Sequence, residues 1–205
     1  MHLEVLKSEQ KEIFPKLKSF SDFYLAGGTA LALQINHRIS LDFDLFSEKD
    51  IPQTLLAKAR RVFDKFKVRV IINHSEQLSL RVNETKVDFV KYRFPLILKP
   101  IEFGGIRILQ VPEIAACKAY VLNQRGTFKD YVDLYFILKE RHSNLKEIKK
   151  IAEKKYKDEF NFRLFLEQLI YLEDIKETSI QFLKGAISKK EIEKFFQEEI
   201  KKLDF

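Results

Sequence analysis

Residues 24–46 read YLAGGTALALQINHRISLDFDLF, and their pattern decides the fold. The apolar run at 22–26 predicts a short buried strand, which Gly27 and Gly28 interrupt. Thr29 through Ile35 then predict a helix, with Ala30, Leu31 and Leu33 to bury. From residue 41 to residue 46 the period changes to two. Leu41, Phe43 and Leu45 face one way, while Asp42, Asp44 and Phe46 face the other. The stretch is therefore strand, glycine turn, helix and strand, with two carboxylates side by side on the last strand.

Adjacent carboxylates repel, which raises the proton affinity of one unless a cation lies between them. Magnesium takes oxygen ligands and leaves positions for water and substrate phosphates. The pair thus suits a metal-dependent phosphoryl or nucleotidyl site, in which two ions about 4 Å apart clamp the attacking and leaving oxygens. Such a site wants a third acid on a neighbouring strand. Asp88 in KVDFV fits, because an Asp between Val87 and Phe89 is costly to bury without a partner. The plainer account is an edge-strand Asp facing solvent, and an isolated Asp-x-Asp is more often a surface pair. Gly27-Gly28-Thr29 adds to the constellation. Glycines let a backbone approach a phosphate, a helix N-terminus offers free N–H groups, and the Thr29 hydroxyl is a further donor. Alone, these three residues would be a tight turn with a threonine cap.

Working outward, residues 8–19 predict a helix capped by Ser8, and 52–66 a basic amphipathic helix entered at Pro52. Runs at 67–73, 77–82 and 85–91 predict an antiparallel meander with turns at 74–76 and 83–84. Residues 93–105 carry two prolines and Gly104-Gly105 and read as a loop, followed by a strand at 106–109. Pro112 opens a helix to about Asn123, and lysine-rich helices are expected near 128–139, 145–157, 161–172 and 188–203. The composition shift near residue 110 divides the chain into a mixed catalytic half, 1–110, and a helical half, 111–205. The expected class is α+β, with a mixed or antiparallel sheet and flanking helices followed by a helical C-terminal half.

Bulk properties narrow the setting. The chain has 205 residues, 45% of them hydrophobic, and one cysteine, Cys117, so no internal disulfide forms. No stretch reaches the roughly 20 apolar residues of a membrane span. The N-terminus is too charged for a signal peptide. A cytoplasmic protein without membrane association is expected. Lys and Arg number 37 against 30 Asp and Glu, a net charge of +7. That excess suits a polyanionic partner, although lysine-rich helices also serve solubility alone.

The blocks LAGGTALAL and HRISLDFDLF resemble the signature of the AbiEii/AbiGii-type nucleotidyltransferases of the DNA polymerase β-like superfamily. The later block EFGGIRILQVPEIAACKAYVLNQRGTFKDYVDLYFIL is similar to the same family, and together the blocks span residues 20–140. The resemblance implies a nucleotidyltransferase fold. A nucleoside triphosphate would lie on Gly27, Gly28 and Thr29, with two Mg²⁺ ions on Asp42, Asp44 and Asp88. Asp88 would also help deprotonate an acceptor hydroxyl, which attacks the α-phosphorus and expels pyrophosphate. The family is that of toxins from abortive-infection and toxin–antitoxin systems, which implies an RNA acceptor, tRNA foremost, and a cognate antitoxin. Where the superfamily usually has Gly-Ser, this chain has Gly28-Thr29, which keeps a hydroxyl.

Arg38 and Ser40 precede the acids. The planar fork of Arg38 suits triphosphate, or equally an ion pair with Asp42 or Asp44 that holds the loop. His37 reads as a helix-terminal residue rather than a ligand. Lys118 lies among alanines, and the family pattern makes it a phosphate contact rather than a snorkelling lysine. Lys129, Asp130 and Asp133 open the next helix. The family places function there, with Lys129 on the nucleotide and Asp130 in catalysis, and the residues leave open whether Asp130 or Asp133 is the one that matters. Capping, or an ion pair to Lys118 or Arg125, is the ordinary alternative. Tyr92, Phe94 and Phe103 flank the proline loop and are of a type that stacks on bases, although Phe is abundant enough here to make a core role the default. Cys117 reads as a small core residue. Two other functions stay open on these residues. One is transfer to a protein or small-molecule hydroxyl, and the other is a catalytically silent nucleotide-binding module. An apolar groove at the site mouth would favour the first, and absence of Mg²⁺ and nucleotide binding the second. The later helices also remain open as a dimerisation surface.

Overall fold

The structure is a computed structural model that describes residues 1–203, the side chain of Arg125 excepted. It divides into two compact units, Met1–Gln110 and a second from Val111 on.

The first unit is built on one sheet. Its strands are β1 (Tyr24–Ala26), β2 (Asp42–Ser47), β3 (Val68–His74), β4 (Gln77–Val82), β5 (Thr85–Lys91), β6 (Ile101–Phe103) and β7 (Ile106–Ile108). Their order is β3-β4-β5-β2-β1-β7-β6. The meander β3-β4-β5 is antiparallel, whereas β2 pairs parallel with β5 and β1 parallel with β7, so the sheet is mixed. Three α-helices belong to this unit: α1 (Ser8–Ile13), α2 (Gly27–Ile35) and α3 (Leu55–Val62).

Alternation along the strands separates two faces. Phe43, Leu45, Val87, Phe89, Leu78 and Leu80 point to one face and are buried. Phe20 packs edge-on against Phe89 at 4.7 Å between ring centroids, and Phe14 against Phe43 at 6.1 Å, so the leading helical segment covers this face. Asp42, Asp44 and Asp88 point to the other.

Several elements differ from expectation for local reasons. The helix expected over 8–19 is α1 followed by a 3₁₀ segment, Phe14–Ser19, because Pro15 has no N–H to continue the α ladder. Ser8 is its first residue rather than its cap; the Lys7 N–H donates to the Gln10 side chain at 3.0 Å. The helix near Pro52 begins three residues later, at Leu55. The loop expected over 93–105 contains β6. Gly104 and Gly105, with φ of 59° and 79°, form a two-residue turn that folds β6 back onto β7.

The second unit is helical: α4 (Val111–Arg125), α5 (Phe128–Lys139), α6 (Leu145–Tyr156), α7 (Phe162–Ile170) and α8 (Lys189–Lys201). A fully buried ion pair, Lys155 Nζ to Glu113 Oε1 at 2.7 Å, joins α6 to α4. Among the described residues, no helix is long and apolar enough to cross a membrane.

Candidate active site

The three acids come together through strand register. Asp44 of β2 is the direct partner of Asp88 of β5, and residues in register present their side chains to the same face. Asp42 lies two residues before Asp44 and so shares that face. Asp42 is exposed, Asp44 half-buried and Asp88 only 7% exposed.

The glycine pair is shaped around this group. Ala26 is the register partner of Asp44 on the other flank of β2, which brings Gly27 beside the Asp44 carboxylate. Gly27 has φ +66°, and a Cβ there would lie 2.2 Å from Asp44 Oδ2. No L side chain fits without displacing Asp44. A Cβ on Gly28 would lie 2.6 Å from Arg38 Nη2. Helix α2 ends with Asn36 in the left-handed conformation, the turn that returns the chain towards β2.

Beneath the glycines lies a buried polar layer. Thr29 Oγ1 bonds Ser40 Oγ at 2.8 Å and also donates to the Asp42 carbonyl, while the Gln10 amide donates to the Ser40 carbonyl at 3.0 Å. Arg38 is 4% exposed and donates to the Ile39 carbonyl at 3.1 Å. Thr29 and Ser40 therefore tie the start of α2 to the strand that carries the acids. The Thr29 hydroxyl is already committed to this layer. His37 is fully buried.

Lys86 is a member of the group that its sequence position conceals, since lysines are abundant throughout the chain. It lies two residues before Asp88 and in register with Asp42. Its Nζ reaches Asp88 Oδ2 at 2.5 Å. That hydrogen bond, with the charges of Asp88, Asp42 and Asp44, raises the ammonium above its ordinary value against the opposing effect of burial. Lys86 thus sets an ammonium among the three acids. Asp88 Oδ1 is buried and has no hydrogen-bond partner.

The donor set suits a divalent metal. It consists of hard carboxylate oxygens, and a buried acceptor is left over on Asp88. As the side chains stand, no three His, Cys, Asp or Glu among the described residues are gathered to hold a metal ion, and Lys86 takes the cation position beside Asp88.

One strand step along the same face from Asp44 is an aromatic ledge. Phe46 stacks on Tyr92 at 4.7 Å, and Phe94 meets Tyr92 edge-on at 5.5 Å. Phe103 packs instead on Phe14, 6.2 Å away.

Lys118, Lys129 and Asp130 belong to the second unit. Lys118 Nζ is held between Asp130 Oδ1 at 2.8 Å and Asp133 Oδ2 at 2.7 Å. Asp133 is fully buried; Asp130 also closes a capping box with Thr127 at the start of α5. Burial alone would raise the Asp130 carboxyl, but Lys118 and the Thr127 hydrogen bonds outweigh it and hold the group below its ordinary value. Lys129 is exposed, and Cys117 is half-buried.

The model of the AbiEii nucleotidyl transferase toxin, of type IV toxin–antitoxin systems, matches residues 11–205. The chain belongs to the AbiEii family. The match runs through the last helices, well past the 20–140 span of the recognisable motif blocks. A protein of Aquifex aeolicus strain VF5 of uncharacterized function is 34% identical to this AbiEii member over 201 residues, covering 96% of both chains. The fold is that of solved neighbours. A crystal structure of an H. pylori protein described as a candidate nucleotidyltransferase superposes with a TM-score of 0.60 at 18% identity, covering 98% of this chain and 100% of the other. The JHP933 protein from Helicobacter pylori gives 0.53 at 18% identity, covering 80% and 90%.

Proposed function

We propose that this AbiEii member is a magnesium-dependent nucleotidyltransferase that moves a nucleotide from a nucleoside triphosphate to an RNA hydroxyl, tRNA foremost, and acts as a toxin restrained by an antitoxin. One observation carries the reading: Asp42, Asp44 and Asp88 share a sheet face, with Gly27 pressed against Asp44.

In this reading Asp42, Asp44 and Asp88 hold the metal, and Gly27 and Gly28 leave room for the triphosphate above the start of α2. Bound magnesium supplies positive charge against the phosphate oxygens and the departing pyrophosphate. Lys86 holds Asp88 Oδ2, and Oδ1 is left without a hydrogen-bond partner. The acceptor oxygen forms its bond to the α-phosphorus as the bond to the bridging oxygen breaks; the hydroxyl proton leaves through Asp88. Thr29, Ser40 and Arg38 position the strand and the glycines rather than touch phosphate directly. The Phe46–Tyr92 ledge offers a stacking surface for a base. Lys118 steadies α4 against α5 through Asp130 and Asp133, and Lys129 is left as the solvent-facing cation of that group. The two units correspond to a catalytic domain and a helical domain.

The test is to incubate the protein with total tRNA, Mg²⁺ and each labelled triphosphate in turn, beside Asp42→Ala. Label in RNA that depends on Asp42 is the expected result. Label on protein moves the acceptor to a polypeptide hydroxyl, and the absence of any transfer or nucleotide binding leaves a silent module.

A further inference from the structure

Three cations stand in one row across the sheet. Arg69 of β3 is the register partner of Arg81 of β4, Arg81 of Lys86 of β5, and Lys86 of Asp42 of β2. Partners in register share a face, so the row runs along the face of the acids and ends on them. At about 4.8 Å between strands, it spans roughly 14 Å from Arg69 to Asp42.

Like charges directly opposite each other weaken a sheet. Lys86 is offset by Asp88, but among the described residues neither Arg69 nor Arg81 makes a salt bridge. Arg81 has only a long bond, 3.4 Å, to the Glu84 carbonyl. Protection of an edge strand explains a charge on β3, the outermost strand, but not one on β4 or β5. The next row along the same face, Ser79, Asp88, Asp44 and Ala26, carries no cation. Positive charge is thus gathered in one line that leads to the acids.

The row also lies on the opposite flank of β2 from the glycines. Gly27 and Gly28 follow β1, while the cations lie beyond β5. If the triphosphate occupies the glycine flank, the flank of cations is left for the second substrate. We propose that Arg69 and Arg81, with Lys86 at the inner end, are the track on which the phosphodiester backbone of an RNA acceptor lies as its hydroxyl reaches Asp42, Asp44 and Asp88. The inference rests on the RNA acceptor proposed above.

The test leaves Lys86 and the acids intact and compares the wild-type protein with Arg69→Gln/Arg81→Gln. Anisotropy of a fluorescent tRNA pool is measured over a series of salt concentrations, and triphosphate binding without RNA is measured by calorimetry. The double variant is expected to bind tRNA at least about tenfold more weakly near 0.1 M salt, and its log–log salt slope to fall by about 2. Triphosphate binding should not change, and the melting temperature should hold or rise as like charges are removed, whereas a merely structural role would lower it. A double variant with wild-type affinity and slope overturns the track but leaves RNA as the acceptor. Loss of triphosphate binding overturns it too, by assigning the row to the nucleotide. A wild-type protein that neither binds nor labels RNA removes the acceptor reading and the track with it.

Discussion

Two clusters of acids, one in each unit, are balanced differently. In the helical unit Asp130 and Asp133 close on Lys118 from two sides, and Thr127 occupies the second oxygen of Asp130. In the sheet unit Lys86 pairs with Asp88 beside Asp42 and Asp44, and Asp88 keeps a buried oxygen with no partner. The first group satisfies its own lone pairs and stiffens a helix pair. The second keeps an unsatisfied buried oxygen, on Asp88, in a place where the backbone has been cleared by glycine. A folded chain keeps such a deficit only where something else completes it.

The largest expected difference is in activity. Asp44→Ala should reduce nucleotidyl transfer on the order of a thousandfold while the chain still folds cooperatively. Loss of folding instead would make the sheet acids as structural as the helical ones. Next in size is Asp133→Ala, which removes a fully buried carboxylate that holds Lys118. It should cost about 3 kcal/mol in denaturant unfolding. Lys86→Met has a smaller effect, about 1 kcal/mol in the presence of a chelator, since the lysine is partly exposed. Added Mg²⁺ should restore more stability to this variant than to the wild type, and equal responses would remove Lys86 from the acid group.

The smallest effect concerns pH. The Asp130 carboxyl is held below its ordinary value in the fold. Its contribution is therefore present above the unfolded value, about 3.9, and is lost as pH falls through the lower folded value. Asp130→Asn should flatten the acid limb of the melting-temperature curve, and an unchanged limb would show that Asp130 does not set it.

Much of the acidic face is legible in the sequence because it depends on short-range rules. The period of two from Leu41 to Phe46 fixes which side chains share a face, and Gly27-Gly28 marks the junction. The three strands of the meander are also legible, from their turns. What lies outside reading is register. The pairing of Asp44 with Asp88 joins strands 44 residues apart in parallel, and no local pattern sets it. The row from Arg69 to Lys86 depends in addition on an irregularity in β3 between Val70 and Ile72, after which the pairing shifts by one residue. Lys86 was hidden for the same reason: only the fold places its ammonium among the acids. Strand β6 escapes because three residues beside a Gly-Gly pair carry too short a period to distinguish from loop. At Thr29 the residue type points to phosphate, yet tertiary contacts with Ser40 and Asp42 use its hydroxyl first.

Strand order has a consequence for how the site fails. Strand β2 is the fourth of seven, hydrogen-bonded on both sides, whereas Arg69 sits on the outermost strand. Amide protons beside Asp44 can then exchange with solvent only when the sheet opens as a whole, while those of β3 are released by local fraying. Warming or mild denaturant will loosen the rim of the sheet long before it disturbs the acids. The acidic face persists until the whole sheet melts.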